Sequence, residues 1–157
     1  MSKILFILFF SISLFGSSKT TNIDLLLDKA KKEDKHLLIF FHMTYCGYCN
    51  DMIDESFRDK EIQKILNDKF IFVDINVNDR DQVIYNNFKG LKYKFAQKSD
   101  VFFYPTIFFI DKNNKRVYKV KGYRSKDKFT NILNYISSKS YKKIDYPSYL
   151  DYIEMEK

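Results

Sequence analysis

The chain has 157 residues and a formal net charge of +7, with 27 basic residues scattered among 20 acidic ones. This length suits one domain with a buried core, and the interspersed charge favours a solvated surface over a nucleic-acid interface. The chain has two cysteines, which excludes a small exported domain held by a framework of several disulfides.

Residues 1–18 have the layout of a secretory signal peptide. Lys3 precedes an apolar run over residues 4–15, and Gly16 and Ser18 occupy the −3 and −1 positions of a cut after Ser18. The run is shorter than the roughly 20 residues of a membrane-spanning helix, which favours a cleaved signal over an uncleaved membrane anchor. We therefore predict an exported, periplasmic protein with a domain over residues 19–138 and a tail over residues 139–157.

Helices and a buried strand alternate at the start of the predicted domain. A helical pattern of leucines follows Thr21 or Asn22, and either residue suits an N-cap. The apolar run "HLLIFFH", residues 36–42, is typical of a strand buried on both faces. A second helical stretch begins at about Cys46 and restarts at Asp59, a predicted N-cap.

The second half of the domain begins with a strand and ends with a hairpin and a helix. The strand is "KFIFVDINV", residues 69–77, and residues 79–97 are predicted to be helical with an interruption at Gly90. The stretches "PTIFFID" and "KRVYKVKG" predict two strands joined by the tight turn "KNN". Residues 125–139 form an amphipathic helix, and Pro147 is placed to open a short helix in the tail.

This order of elements predicts an α/β fold. Strands separated by helices pair in parallel, and the final hairpin adds antiparallel strands. We therefore expect one mixed central sheet with helices on both faces.

The two cysteines, Cys46 and Cys49, lie where the buried strand turns into a helix. The N–H groups and the dipole of the first helical turn favour the thiolate of Cys46, which is the nucleophilic form. Cys49 lies almost one turn further on the same face, so that the two sulfurs can meet. In such a pair Cys46 attacks a substrate disulfide and Cys49 resolves the mixed disulfide.

Three other interpretations of the pair are weaker. Haem attachment needs a histidine directly after the second cysteine, where the chain has Asn50. A zinc site needs about four ligands, and the chain has only His36 and His42 to add to the cysteines. A purely structural disulfide across so short a loop removes little chain entropy. We therefore predict a redox dithiol without a metal or a cofactor.

These motifs resemble the thioredoxin superfamily. The stretch "YCGYC" at a strand-to-helix junction is followed about 55 residues later by "YPTIFFIDKNNKRVYKVKGY". The likeness covers about residues 22–137 and is greatest to exported thioredoxin-like proteins of the SoxW type and to the C-terminal domain of the membrane electron carrier DsbD. It implies a thioredoxin-like fold and thiol–disulfide oxidoreductase activity.

The resemblance also implies a substrate groove beside the cysteines. Pro105, preceded by Tyr104, corresponds to the cis-proline of the fold, whose loop lies against the first cysteine. Gly122 matches the glycine that keeps the neighbouring loop low. Tyr45 stands where thioredoxins carry a tryptophan, and Tyr48 lies between the two cysteines, so that we expect both to contact substrate.

The chain departs from the family at the acid beneath the cysteines. The buried aspartate of thioredoxin corresponds to Phe40, whereas Asp74 stands on the next strand where thioredoxin has a lysine. If the face of that strand that carries Asp74 lies under the active-site helix, Asp74 is a buried acid that accepts the proton of Cys49. The alternatives are that Asp74 is solvated or pairs with a lysine.

Two more departures leave the chemistry open. His42 stands where another tryptophan often lies, and it either packs at the strand end or tunes Cys46. Gly47 and Tyr48 separate the cysteines in place of Gly-Pro, so the family's redox potential does not carry over.

Together these features predict a monomeric reductase. Electrons would come from a membrane donor of the DsbD or CcdA kind and pass to disulfide-containing proteins or to apocytochrome thiols. A dithiol oxidase or isomerase is one alternative, because about 30 mV changes the two-electron equilibrium by about 1.4 kcal/mol. A thioredoxin-like binding module with non-catalytic cysteines is the other.

Overall fold

The computed structural model describes residues 19–156 of the chain, and the predicted signal peptide lies outside this range. The elements follow one another along the chain as strands, α-helices and two short helical turns of other types. In order they are β1 (Thr20–Asn22), α1 (Ile23–Lys32), β2 (His36–His42), α2 (Gly47–Met52), a π-helical turn (Ile53–Phe57), α3 (Lys60–Lys69), β3 (Phe70–Asn76), β4 (Gln82–Tyr85), β5 (Phe88–Leu91), α4 (Lys92–Lys98), β6 (Thr106–Ile110), β7 (Arg116–Lys121), α5 (Lys126–Ser137), a 3₁₀ turn (Ser140–Lys142) and α6 (Tyr146–Met155).

A four-stranded sheet in the order β3-β2-β6-β7 forms the centre of the fold. β2 pairs in parallel with β3 over its whole length, from His36 opposite Phe70 to His42 opposite Asn76. On its other side β2 pairs antiparallel with β6, which forms a hairpin with β7. A strand with a neighbour on each side suits the continuous apolar run that predicted β2.

Two hydrophobic clusters cover the two faces of this sheet. Leu37, Ile39 and Phe41 of β2 pack in one cluster with residues of α1 and α4. Leu38 and Phe40 face the opposite way, because successive side chains of a strand alternate, and they pack with residues of α2, α3 and α5. Helices therefore cover both faces of a mixed sheet, and the predicted α/β fold class is confirmed.

Residues 79–97 do not form one interrupted helix, and that prediction is wrong. β4 and β5 form an antiparallel hairpin, and only α4, which follows the hairpin, is helical. The chain reverses at Asn86 and Asn87, whose φ angles of 48° and 64° are left-handed, a conformation that asparagine tolerates better than most residues. β1 adds to this hairpin in parallel, so the described residues form two sheets rather than the one predicted.

Polar caps explain where several helices begin. The side chain of Asn22 accepts a hydrogen bond from a backbone N–H in the first turn of α1. The carboxylate of Asp59 accepts two such bonds in the first turn of α3, as predicted. α6 has Pro147 in its first turn, so the short helix predicted in the tail is confirmed.

The tail packs onto the rest of the fold through tyrosines. Tyr146 and Tyr149 of α6 contact the ring of Tyr135 in α5, with centroids 5.2 and 5.1 Å away. Residues beyond 138 therefore extend the second hydrophobic cluster, while the domain boundary placed there stays a prediction. Among residues 19–156, no helix combines the length and the apolar character needed to cross a membrane.

Candidate active site

Cys46 is the N-cap of α2, four residues beyond the end of β2. Its backbone is extended (φ −98°, ψ 107°), and its Sγ accepts a hydrogen bond of 3.3 Å from the N–H of Cys49. Its carbonyl oxygen accepts from the N–H groups of Cys49 and Asn50. The sulfur therefore occupies the position at which a helix N-terminus stabilises negative charge.

Cys46 and Cys49 form a disulfide bond, and their Cα atoms are 5.2 Å apart. Cys49 is fully buried, whereas Cys46 is partly exposed. A thiolate that approaches from solvent therefore meets Cys46 first. The two sulfurs thus differ in exposure, and the roles of attacking and resolving thiol stay predictions.

Asparagine side chains fasten the loop before the disulfide to the end of β3. Asn78 accepts a hydrogen bond of 2.8 Å from the N–H of Thr44, and the amide of Asn76 donates to the hydroxyl of Thr44 at 3.1 Å. The loop places Tyr45 at a φ of 61°, a left-handed conformation that aromatic residues seldom adopt. These hydrogen bonds were not predicted from the sequence, although a polar stretch follows the strand there.

The Tyr104–Pro105 peptide bond is cis, as predicted. The N–H of Gly122 donates to the carbonyl of Pro105 at 2.7 Å, and Gly122 has a φ of 80° that favours glycine. The ring of Tyr123 lies beside that of Tyr48, with centroids 6.5 Å apart. The proline loop is thus linked through Gly122 and Tyr123 to the first turn of α2, while its contact with Cys46 stays a prediction.

Exposed aromatic side chains lie next to the cysteine pair and next to the cis-proline loop in the sequence. Tyr45 and Tyr48, predicted to contact substrate, have exposed fractions of 98% and 68%. Phe102 and Phe103, directly before the cis-proline loop, are also exposed. Neither phenylalanine was predicted to be a site residue, although the aromatic run before Pro105 is visible in the sequence. These four rings expose apolar surface next to the cysteine motif and the cis-proline loop along the chain.

Asp74 is not buried, and the prediction of a buried acid is wrong. Its side chain is 56% exposed, because β3 has a neighbour only on its β2 side among the described strands. Asp74 pairs with a histidine rather than with a lysine: its Oδ1 lies 2.6 Å from Nε2 of His42. The ring of His42 also stacks on Phe40 at a centroid distance of 4.9 Å, so His42 is both packed and hydrogen-bonded.

A further polar contact lies on the solvent side of the active-site helix. The hydroxyl of Tyr123 donates to the carboxylate of Glu55, and this hydrogen bond raises the pKa of Tyr123. Within residues 19–156, no three histidine, cysteine, aspartate or glutamate side chains cluster in a way that could hold a metal ion.

Comparison with known proteins yields one family and several similar folds. Residues 23–137 match the family described as the thioredoxin-like domain. A thioredoxin-fold protein from Helicobacter pylori superposes with a TM-score of 0.67 at 21% identity, over 91% of this chain and 93% of that one. The oxidised C-terminal domain of DsbD from Neisseria meningitidis gives 0.50 at 19% identity, over 68% and 86% of the two chains.

A shorter match is to Spermatogenesis-associated protein 20 of Mus musculus. It is 39% identical over 56 residues, which are 36% of this chain and 7% of that protein. The match therefore covers a small part of a much longer protein, and no function of that whole protein is inferred from it.

The family match spans most of the described chain and agrees with the observed sheet, the cis-proline and the disulfide at the start of α2. A thioredoxin-like fold with two cysteines so placed supports thiol–disulfide oxidoreductase chemistry. The chain belongs to the thioredoxin-like domain family.

Proposed function

We propose that this protein is an exported thiol–disulfide oxidoreductase that works as a reductase through Cys46 and Cys49. The observation that carries the proposal is the asymmetry of the disulfide. Cys46 is accessible at the N-cap of α2, and Cys49 is buried one turn further on. A bridge that served only to hold the fold would gain little from closing so short a loop.

The chemistry follows from this asymmetry. In the reduced protein, the Cys46 thiolate attacks one sulfur of a substrate disulfide, and the other substrate sulfur leaves as a thiolate. Cys49 then loses its proton and attacks Cys46, which forms the intramolecular disulfide and releases the second substrate thiolate. Two electrons pass from the protein to the substrate, and the two substrate thiolates take up protons.

The exposed aromatic rings suit a polypeptide substrate. Tyr45 and Tyr48 flank Cys46 along the chain, and both present most of their surface to solvent. Disulfide-containing proteins or apocytochromes are therefore the proposed substrates. The Tyr104–Pro105 loop and Gly122 form the proposed wall of the groove, since Gly122 bonds to Pro105 directly.

The signal-like N-terminus supports a periplasmic location and a membrane electron donor of the DsbD or CcdA kind. Outside the cytosol thiols tend to be oxidised, so a reductase there needs a source of electrons. The proposed electron flow is from the membrane donor to the Cys46–Cys49 disulfide and then to the substrate.

A trapping experiment tests the proposed function. Cys49→Ala removes the resolving thiol, so Cys46 should accumulate mixed disulfides with periplasmic proteins, and a reductant should release them. Cys46→Ala is the matched control and should trap nothing. A folded Cys49→Ala protein without adducts, together with a wild-type protein that does not reduce insulin disulfides, would show that this is a binding module with idle cysteines.

A further inference from the structure

Cys49 must lose a proton before it can attack, and it is buried. The position that carries the buried aspartate in thioredoxin is occupied here by Phe40, and Asp74 is too exposed to replace it directly. The proton of Cys49 therefore needs a different acceptor on the face of the sheet under α2.

The strand register places His42 on that face. Side chains alternate along β2, so His42 shares a face with Leu38 and Phe40, whose cluster includes Met52 of α2. Cys49 and Met52 are three residues apart and both fully buried, so they share the side of α2 that packs on the sheet. Since α2 begins five residues after β2 ends and its Met52 packs on the face that His42 shares, its first turn, with Cys49, is expected near the strand end that carries His42.

Asp74 fixes the form of the His42 ring. A carboxylate can only accept, so Nε2 of His42 donates to Oδ1 of Asp74 over 2.6 Å. In the neutral ring the lone pair is then on Nδ1, which has no hydrogen-bond partner among residues 19–156. A lone pair held in place by a carboxylate behind the ring is the arrangement of a general base.

The side chains of His42 and Asp74 differ in their exposure to solvent. The side chain of His42 is 13% exposed and that of Asp74 is 56% exposed, so the pair connects a largely buried ring with solvent. In the cluster on this face, α2 contributes Met52 and the π-helical turn contributes the partly buried Phe57, both uncharged. Asp74 is the charged group that contacts the ring.

We propose that His42, oriented by Asp74, accepts the proton of Cys49 when this thiol attacks the mixed disulfide. The inference rests on the proposed function and adds a catalytic residue and a positioning residue to it. Nδ1 of His42 takes the proton as the Cys49 sulfur forms its bond to the Cys46 sulfur, and the substrate thiolate leaves. The imidazolium then gives the proton to that thiolate or to water beside Asp74. In the oxidising direction the same proton returns to Cys49.

The reaction of the reduced full-length protein with 5,5′-dithiobis(2-nitrobenzoate) separates the two steps. Attack by Cys46 releases the first thionitrobenzoate, and attack by Cys49 on the mixed disulfide releases the second. We expect His42→Gln to slow the second release about 100-fold at pH 7 and to leave the first within about twofold, as loss of a general base does. The deficit should shrink as the pH rises, because hydroxide then removes the proton.

Asp74→Asn and His36→Gln make the test decisive. Asp74→Asn changes an exposed side chain and should slow the same second release by about tenfold. His36→Gln alters the histidine at the other end of β2 and should change neither release. A second release that stays within twofold of wild type in Asp74→Asn, or in a folded His42→Gln protein, overturns the inference.

This test also separates the inference from the proposed function. A wild-type protein that releases no second thionitrobenzoate has no resolving thiol, and the proposed function fails. A wild-type protein that releases both, with variants that match it, leaves the proposed function standing and removes His42 from the mechanism.

Discussion

A histidine stands at each end of β2, and the two side chains differ in burial and in the partner that their Nε2 atoms meet. His36 at the start is buried, and its Nε2 lies 3.0 Å from the hydroxyl of Tyr141. Its ring lies against Phe70 and Tyr141, at centroid distances of 6.1 and 5.7 Å. His42 at the end lies beside a carboxylate and before the loop that leads to the disulfide.

Two histidines of the same strand thus have different surroundings, and these surroundings rather than the residue type determine what each can do. At the His36 end of β2, which we call the closed end, burial lowers the pKa of His36, and the neutral hydroxyl of Tyr141 is the hydrogen-bond partner of its ring. At the His42 end, which we call the open end, the solvent-exposed carboxylate of Asp74 bonds to the ring of His42. The closed end therefore contributes to the packing of the fold, and the open end, which precedes the disulfide, is where we propose that the chemistry takes place.

The largest expected loss of stability comes from a substitution near the closed end. Tyr135 is buried, its ring contacts four other tyrosines, and its hydroxyl donates to the carbonyl of Ile144 at 2.8 Å. We expect Tyr135→Ala to lower the free energy of unfolding by about 3–5 kcal/mol, as loss of a buried aromatic ring does. Urea unfolding measures this loss, and Tyr152→Ala, at an exposed tyrosine of α6, is the control. Equal losses in the two variants would show that α6 is not part of the core.

A smaller effect concerns His36 alone and depends on pH. Burial, together with the charge of Lys139, lowers the pKa of His36 below its ordinary 6.5. Below about pH 6.5 the unfolded chain binds a proton at His36 that the folded chain does not bind. The free energy of unfolding is therefore unaffected by this group above about pH 6.5 and falls as the pH drops toward the folded-state pKa. His36→Gln should flatten this decline between about pH 6.5 and 5 in urea unfolding. An unchanged slope would mean that other groups cause it.

The next prediction concerns the open end, where Asn76 and Asn78 hold the loop before the disulfide through Thr44. Asn78→Ala removes the acceptor of the Thr44 N–H, and we expect a loss of about 1 kcal/mol in the free energy of unfolding. Cys46 should also react more slowly with protein disulfides, because the loop before it is loosened. Asn113→Ala, in the turn at the other end of the sheet, should change neither quantity. A variant of Asn78 that matches that control would show that the hydrogen bond between Thr44 and Asn78 is dispensable.

The smallest expected effect concerns the strained tyrosine. Tyr45 is left-handed and almost fully exposed, so Tyr45→Asn should raise the free energy of unfolding by less than about 1 kcal/mol. The same change should raise the KM for protein disulfides and leave exchange with small disulfides unchanged. Tyr45→Phe keeps the ring and should keep the wild-type KM. An unaltered KM in Tyr45→Asn would remove this ring from the substrate surface.

Local patterns predicted the central strands well. The apolar run of residues 36–42 predicted β2 with its observed bounds, and Asp59 was recognisable as a cap. The cysteine pair and Pro105 were found because their spacing resembles a known family. These features depend on residues that are close in the sequence, or on a resemblance that supplies the long-range part.

What the sequence left undetermined depends on strand order and turn geometry. The hairpin of β4 and β5 was mistaken for a helix because its turn uses two left-handed asparagines rather than glycine. Asp74 was expected to be buried because alternation assigns a face but does not say that β3 lies at one end of the sheet order. The contact between His42 and Asp74 requires the parallel register of β2 and β3, which only the structure supplies.

The reduction potential of the Cys46–Cys49 pair tests the central claim, that this disulfide is a reversible redox centre, most directly. The protein is equilibrated with glutathione and dithiothreitol buffers, and the fraction of free thiol is measured by alkylation and mass spectrometry. We predict a potential between about −270 mV, typical of thioredoxin, and about −120 mV, typical of DsbA, with a reductase near the lower value. A pair that stays oxidised below about −300 mV would be a structural disulfide and would contradict the account.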